Sequence, residues 1–433
     1  MSSRKHNVFI FPCGSEIGLE LCKALSHSRL FHVVGGSSTS DHGRFAFADY
    51  IEGLPFVDDD GLLEALQQII EDRRIDFIFP AHDSAVTRFS GWEQQGRLGL
   101  ARVVSSPFET TSLVRSKRQT YLRFEGVVPT PQVYQKAGDV QDFPVFLKPD
   151  VGQGSRGTCM AMDPAELECH LRKDPSLLIL EYLPGREYTV DCLTDRHGVL
   201  RFSEGRHRNR ISNGISVNST KARDARFATL AARINGTIRL SGPWFFQVKE
   251  RADGELVLME IATRIAGASC FHRAMGVNLP LLSLYDRLGH ELTMQENAVT
   301  LEMDRQLHNR YRFDHEFRSV YVDLDDTLIA DGKVNHRVLG LLYRFKSQGK
   351  SLHLITRHLA VHGNEAETLL RSTFIDPRLF DQIIDVPLSA NKSSHVPTAN
   401  AIFVDDSFRE RHDVAARAGL PVFDVNQFIE VFD

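Results

Sequence analysis

Two short apolar runs in the last quarter of the chain each end in paired acids. Ser319-Val320-Tyr321-Val322 leads into Asp323-Leu324-Asp325-Asp326-Thr327, and Ala401-Ile402-Phe403-Val404 leads into Asp405-Asp406-Ser407. An apolar run of this length reads as a buried strand. Asp323 and Asp325 are two residues apart on it, so their side chains leave the strand end on the same side. Further apolar runs at Leu352–Ile355, Ile383–Val386 and Pro421–Phe423 alternate with helical patterns. That alternation predicts a parallel α/β domain.

The acids can carry chemistry. One of the Asp323/Asp325 pair can attack a phosphoryl group while the other shuttles a proton. Such a nucleophile needs a cation and a fixed lysine to offset the incoming charge, roles open to Asp405 and Lys392. Thr356 can hydrogen-bond phosphoryl oxygens. Asp-x-Asp-x-Thr, Thr356, Lys392 and Asp405-Asp406 together resemble the four motifs of the haloacid dehalogenase (HAD) superfamily of phosphatases and phosphotransferases. The resemblance implies Asp323 as nucleophile, Asp325 as general acid/base, Thr356 and Lys392 as phosphate holders, and a magnesium site at Asp405 with Asp323, Asp325 and Asp406. The intervals between Thr327, Thr356 and Lys392 leave no room for an inserted cap, so a capless domain is expected over 319–433. Arg411 reads as a helix-surface residue.

The N-terminal stretch also alternates. Val8–Phe11, Val33–Gly35, Phe77–Phe79 and Val103–Val104 are strand candidates separated by helical patterns at Ile17–Leu25 and Leu62–Ile70, predicting a small parallel α/β unit over residues 1–104. Ser15 and Asp83 sit where a helix start can either bind an anion or simply be capped. From Ser105 the pattern turns to antiparallel strand signals, with turns such as Ala252-Asp253-Gly254. Lys148 closes an apolar run beside Gly152-Gln153-Gly154-Ser155-Arg156-Gly157, a loop whose backbone can approach a polyphosphate while the ammonium offsets its charge.

In order with Glu181-Tyr182-Leu183, Glu187 and Glu260-Ile261-Ala262-Thr263-Arg264, that loop resembles the ATP-grasp superfamily, in the branch of carbamoyl-phosphate synthetase-like and amino-acid ligases. The resemblance covers about Met1 to Gln295. It implies a Rossmann-like pre-ATP-grasp domain at 1–104 and an ATP-grasp domain at 105–300. It further implies ATP held by Lys117, Lys148, Gly154 and Ser155, with Glu181 and Leu183 at the adenine hinge and Glu187 at the ribose. Mg2+ would lie on Glu260, with Gln247 in support, and Arg264 would steady developing charge. The run Arg206-His207-Arg208-Asn209-Arg210 lies where relatives contact substrate, although it also reads as a solvated strand. One departure stands out: the family's Glu-x-Asn pattern has Ala262 in place of asparagine, and alanine cannot ligate a cation.

Composition narrows the partners. The chain of 433 residues is 42% apolar with a net charge of -5, and no basic or acidic block favours nucleic acid. No apolar run is long enough to span a bilayer. The six cysteines form no C-x-x-C pair, which fits a reducing cytoplasm rather than a disulfide or zinc framework. The charged stretch 301–318 reads as a linker. These readings converge on a multidomain α/β and α+β protein: an ATP- and Mg-dependent carboxylate–amine ligase fused to a magnesium phosphatase, acting on a small-molecule acid, an amine and a phosphorylated metabolite. Related ligases often pair, which leaves a homodimer open without fixing the oligomeric state. Two rivals are a phosphatase regulated by a nucleotide-binding, non-ligating half, and an interaction scaffold with vestigial sites.

Overall fold

The computed structural model describes residues 5–433 except Gln153, Ser155, Asn213 and Thr398. The chain divides into two compact units, Met1–Gln306 and Leu307–Asp433.

The first unit opens on a parallel five-stranded sheet in the spatial order Asp49–Ile51, Phe31–Gly36, His6–Phe11, Ile75–Pro80, Arg102–Val103. Helices cover both faces, so the central strand buries Val8, Phe9, Ile10 and Phe11 in succession instead of alternating. Ser15 caps the helix Glu16–Leu25, its Oγ accepting from the Gly18 amide at 3.0 Å. At the helix Asp83–Gln94 the cap is His82, whose ring accepts from the Ser84 amide, and this leaves the Asp83 carboxylate for another partner.

Two antiparallel sheets follow. The smaller runs Val133–Tyr134, Leu178–Glu181, Val145–Lys148, Cys159–Ala161 and ends one strand on Lys148. The larger has seven strands, with Glu187–Thr194 between Leu200–His207 and Gly242–Glu250, and with Leu256–Ala262 beyond the latter. Phe227, Leu230, Ala231 and Ile234 recur at helical spacing on Ala225–Thr237 and bury one stripe against Val190, Cys192 and Phe246.

The stretch 301–318, expected as a linker, contains the boundary between the two units and one short strand. Glu302–Asp304 pairs antiparallel with Ile215–Ala222, and the Asn218 amide reaches both carboxylates at 2.9 Å. Its charges gave no strand signal; an open sheet edge ordered the segment by offering backbone partners. Further on, Phe313 and Phe317 pack against Phe345 and Phe432 in the second unit.

That unit is a parallel sheet ordered Gln382–Asp385, Ser351–Thr356, Ser319–Val322, Ala401–Val404, Val422–Phe423. Val322 registers with Leu354 on one side and Val404 on the other, so Asp323, Thr356 and Asp405 emerge together at one sheet edge. Between Thr327 and Thr356 lie a hairpin, Ile329–Ala330 with Lys333–Val334, and the helix His336–Ser347. Asp331 and Gly332 take positive φ at the tip, as a two-residue hairpin turn requires. No helix among the described residues is long and apolar enough to cross a membrane.

Candidate active sites

In the first unit a cavity of about 630 Å³ opens into a narrower one of about 140 Å³, and Lys117, Gly154, Arg208, Gln247 and Glu260 line both. The narrow part is an apolar slot of Phe146, Leu180, Leu183 and Met259, beside Glu181 and Tyr182. Lys148 also lines it. It is buried, donates to the Met259 carbonyl at 3.2 Å and lies 5.4 Å from the centre of the Tyr121 ring. Burial brings its pKa down to about 7, with Glu260 pulling the other way. The Lys117 ammonium rests on the carbonyls of Asp150 and Gly152, at 3.2 and 3.4 Å, and burial lowers it too. Both cations face carbonyl dipoles, an arrangement that leaves their charge available to an anion.

Opposite them, Glu260 pairs with Gln247 across adjacent strands, and among the described residues its carboxylate has no hydrogen-bond partner. One uncommitted carboxylate with an amide carbonyl beside it fits a hard, oxygen-seeking cation. Ala262, two residues along the same face, adds no oxygen. Arg264, two further, grips Asp83 through Nε and a terminal nitrogen, both at 2.7 Å, with the guanidinium 5.3 Å from the Phe245 ring centre. Burial alone would raise Asp83; Arg264 outweighs it and holds the carboxyl below the usual range.

The other arginines are also held. Arg206 is fully buried, with Nε 2.8 Å from Asp191 Oδ2 and with His272 Nε2 3.3 Å from the same oxygen. Burial opposes ionisation of Asp191, yet Arg206 and His272 prevail and take its pKa to about 2. Arg208 Nε lies 2.8 Å from Glu187 Oε1, and a terminal nitrogen donates to the Gly214 carbonyl at 2.9 Å. Gly214 has φ +76°, and a Cβ there would fall 2.5 Å from the Gly154 Cα, so the loops meet only with glycine at 214.

In the second unit Lys392 joins the two acidic strand ends. Its Nζ donates to Asp323 Oδ1 at 2.7 Å and to Asp405 Oδ2 at 2.6 Å, all three groups being buried. Burial raises both acids and outweighs the pull of Lys392 the other way. Asp323 and Asp405 are raised, while Lys392, which burial would lower, is held up by both acids. One positive charge cannot compensate two carboxylates in a dry site. The lysine stays charged and the pair of acids shares the excess. Asp323, Asp405 and Asp406 offer oxygens within 4.8 Å of one another. Thr327 accepts from the Asp406 amide at 2.9 Å, the Ser407 amide donates to Asp405 at 2.8 Å, and Arg411 donates to the Asp405 and Asp406 carbonyls at 2.7 and 2.6 Å, fixing the acidic loop. Asp325 accepts from Thr356 Oγ1 at 3.3 Å and meets His358 Nδ1 at 2.7 Å.

Comparison with known proteins gives the first unit its class. The family described as "ATP-grasp in the biosynthetic pathway with Ter operon" matches residues 173–310. The chain is similar to the biotin carboxylase domain of Hydrogenobacter thermophilus 2-oxoglutarate carboxylase, solved as a dimer with MgADP, ADP and bicarbonate (14% identity, 68% of this chain and 72% of that one, TM-score 0.57). It is also similar to purK, N5-carboxyaminoimidazole ribonucleotide synthetase, solved with ADP (14%, 79% and 86%, 0.58). An L-amino acid ligase from Bacillus licheniformis is a third such structure (17%, 66% and 74%, 0.51). No curated protein matches. The first unit has the ATP-grasp fold.

In the ATP-grasp unit, Lys117, Lys148, Gly154, Glu181, Leu183, Glu187, Arg206, Arg208, Gln247, Glu260 and Arg264 all line one cavity or the other. Ser155 lies outside the described residues. Several of these groups are committed inward: Glu181 pairs with Arg251 at 2.6 Å, and Glu187, Arg206, Arg208 and Arg264 are paired as above. The run Arg206–Arg210 is only partly a solvated strand, since Arg206 is buried, the Arg208 side chain is largely enclosed and Arg210 is exposed. Sequence reasoning passed over Asp83 as the partner of Arg264, Tyr121 beside Lys148, and His358 beside Asp325. The first two pairings span long stretches of chain and carry no local signal; His358, next to Thr356-Arg357, was within reach of a search for imidazoles near the acids.

Proposed function

We propose that the chain is bifunctional, an ATP- and Mg-dependent carboxylate–amine ligase joined to a phosphoaspartyl phosphatase of HAD type. The observation that carries the ligase reading is the placement of Lys148, Lys117 and Glu260 around one slot that continues into a larger cavity. ATP would lie with its base in the apolar slot beside Glu181 and Leu183, its ribose toward Glu187 and its phosphates toward the two lysines and the Gly154 loop. Glu260 and Gln247 would hold magnesium, which supplies charge compensation at the phosphate oxygens. A substrate carboxylate in the wide cavity attacks the γ-phosphorus, releasing ADP and leaving an acyl phosphate. An amine then attacks the carbonyl carbon, inorganic phosphate departs and the nitrogen loses a proton. Arg264 offers a guanidinium to the anionic oxygens, provided it exchanges one Asp83 contact for them.

In the second unit, Asp323 would attack a phosphoryl group while Asp325 gives a proton to the leaving oxygen. Asp325 then takes a proton from water, which attacks the aspartyl phosphate and restores Asp323. Lys392 and Thr356 hold the phosphoryl oxygens. Asp405, with Asp323 and Asp406, would hold a second magnesium, whose role is to supply the positive charge that Lys392 alone does not.

ADP release measured across a panel of carboxylic acids and amines, in the intact chain and in Asp323→Asn, tests the ligase half. An acid and amine pair that stimulates release in both proteins supports the ligase; no stimulation by any pair removes it. Ala262 and Gln247 favour a second reading, because Glu260 is then the single carboxylate at the cation position. A nucleotide-binding but non-ligating half would bind ATP without turnover and change the phosphatase rate on binding.

A further inference from the structure

Beside Asp325, on the turn after Thr356, stand two imidazoles that neither proposed reaction uses. His358 and His362 lie four residues apart on the short helix His358–His362, so they share a face, and their ring centres are 4.7 Å apart. His358 Nδ1 is 2.7 Å from Asp325 Oδ1, and His362 Nε2 is 3.9 Å from the same oxygen. A donor atom from each of the three residues lies within 4.8 Å of the others. We propose that Asp325, His358 and His362 form a site for a borderline transition-metal ion of the zinc class, distinct from the acidic cluster of Asp323, Asp405 and Asp406.

The donor set decides the class of ion. Two imidazole nitrogens and one carboxylate suit zinc, cobalt or nickel, whereas magnesium prefers oxygen alone. Zinc–nitrogen and zinc–oxygen bonds of about 2.0 to 2.2 Å at a tetrahedral angle place ligand atoms roughly 3.3 Å apart. The two measured separations, 2.7 and 3.9 Å, bracket that value, so small side-chain rotations suffice. Burial is graded as an open site needs: His358 is buried and fixed, Asp325 is partly exposed, and His362 is about half exposed. His358 meets Asp325 through Nδ1, the nitrogen that would ligate, while its other nitrogen, Nε2, is buried with no hydrogen-bond partner among the described residues, so no protein acceptor fixes the ring in the tautomer that keeps the proton on Nδ1. Thr356 fixes the turn, accepting from the His358 amide at 3.0 Å while donating to Asp325.

Occupancy has a consequence for the second unit. An ion that takes Asp325 removes the group assigned to proton transfer, so phosphate release stops. That consequence rests on the phosphatase reading; the metal site does not.

The two are separated by titrating the full, tag-free chain with Co2+ under excess magnesium and following its visible ligand-field absorption. The expected result is one equivalent of nitrogen-ligated cobalt, weakened about tenfold or more by His362→Ala and by His358→Asn and retained in Asp323→Asn. Absent bands, bands that survive His362→Ala, or bands lost only in Asp323→Asn overturn the site. His362 is exposed, so its variant decides if His358→Asn does not fold, as judged by circular dichroism. In parallel, Zn2+ should inhibit hydrolysis of an aryl phosphate, with relief in His362→Ala. No hydrolysis without zinc removes the phosphatase reading and leaves the cobalt result to stand by itself.

Discussion

Two buried lysines, one in each unit, are held in opposite ways. Lys148 meets a carbonyl and an aromatic ring, and burial brings its pKa down to about 7. Lys392 is just as enclosed but lies between two carboxylates that raise it. The first site has positive charge in waiting, which suits an incoming polyanion. The second has a deficit of positive charge, which suits an incoming cation ahead of any phosphate. Burial is common to both; the neighbours decide its sign.

The largest effect should come from the second site. Asp323→Asn is expected to lower hydrolysis of an aryl phosphate by about a thousandfold or more while leaving ATP binding to the first unit unchanged, since it removes the oxygen proposed to attack. Steady-state rates and nucleotide titration measure the two sides. If binding falls as well, the units are not independent and the comparison breaks.

Next is stability. Lys392→Met leaves Asp323 and Asp405 buried without a counter-charge, and loss of one partner from such a cluster costs about 3–5 kcal/mol. Lys148→Met removes a buried ammonium that has no carboxylate in hydrogen-bond contact, so its thermal midpoint should hold or rise while ATP affinity falls about a hundredfold. Thermal melts with and without nucleotide distinguish the two lysines directly. Equal destabilisation by both substitutions would mean that the two lysines are held alike.

A pH test sharpens it. With its folded pKa near 7 and its unfolded value at 10.5, Lys148 binds fewer protons in the folded state between those limits, so its contribution to stability grows as pH rises through that window. A bound triphosphate favours the charged lysine, so ATP binding takes up a proton and weakens as pH rises above about 7. Calorimetry in buffers of different ionisation heat reads that uptake, and its absence would show that the lysine is already charged. Asp191 gives the opposite case. Its pKa of about 2 means that Arg206 and His272 stabilise the fold above 3.8, a contribution lost as pH falls toward 2. Acid titration of Asp191→Asn should lack that limb.

The smallest effect expected is at Ala262. Ala262→Asn restores an oxygen beside Glu260 and should tighten magnesium in the nucleotide complex a few-fold, read by the magnesium dependence of ADP release or, without turnover, of ATP binding. No change would place the cation's remaining ligands elsewhere.

Local sequence was sufficient where periodicity and composition do the work. The alternating parallel units, the strand ending in Lys148, the turn at Gly254 and the acids after Val322 and Val404 all follow from short patterns of apolar, glycine and acidic residues. Glu302–Asp304 did not follow, because its strand exists only by pairing with an edge more than eighty residues away. Nor did the internal commitments of Arg206, Arg208 and Arg264, since a sequence names a cation without naming its partner. The sequence by itself determined which residue types stand at strand ends and in glycine loops. Only the tertiary structure decided which charges meet, and so which lysine is lowered and which is raised, because Coulomb energy and desolvation depend on distance and burial that no local pattern encodes.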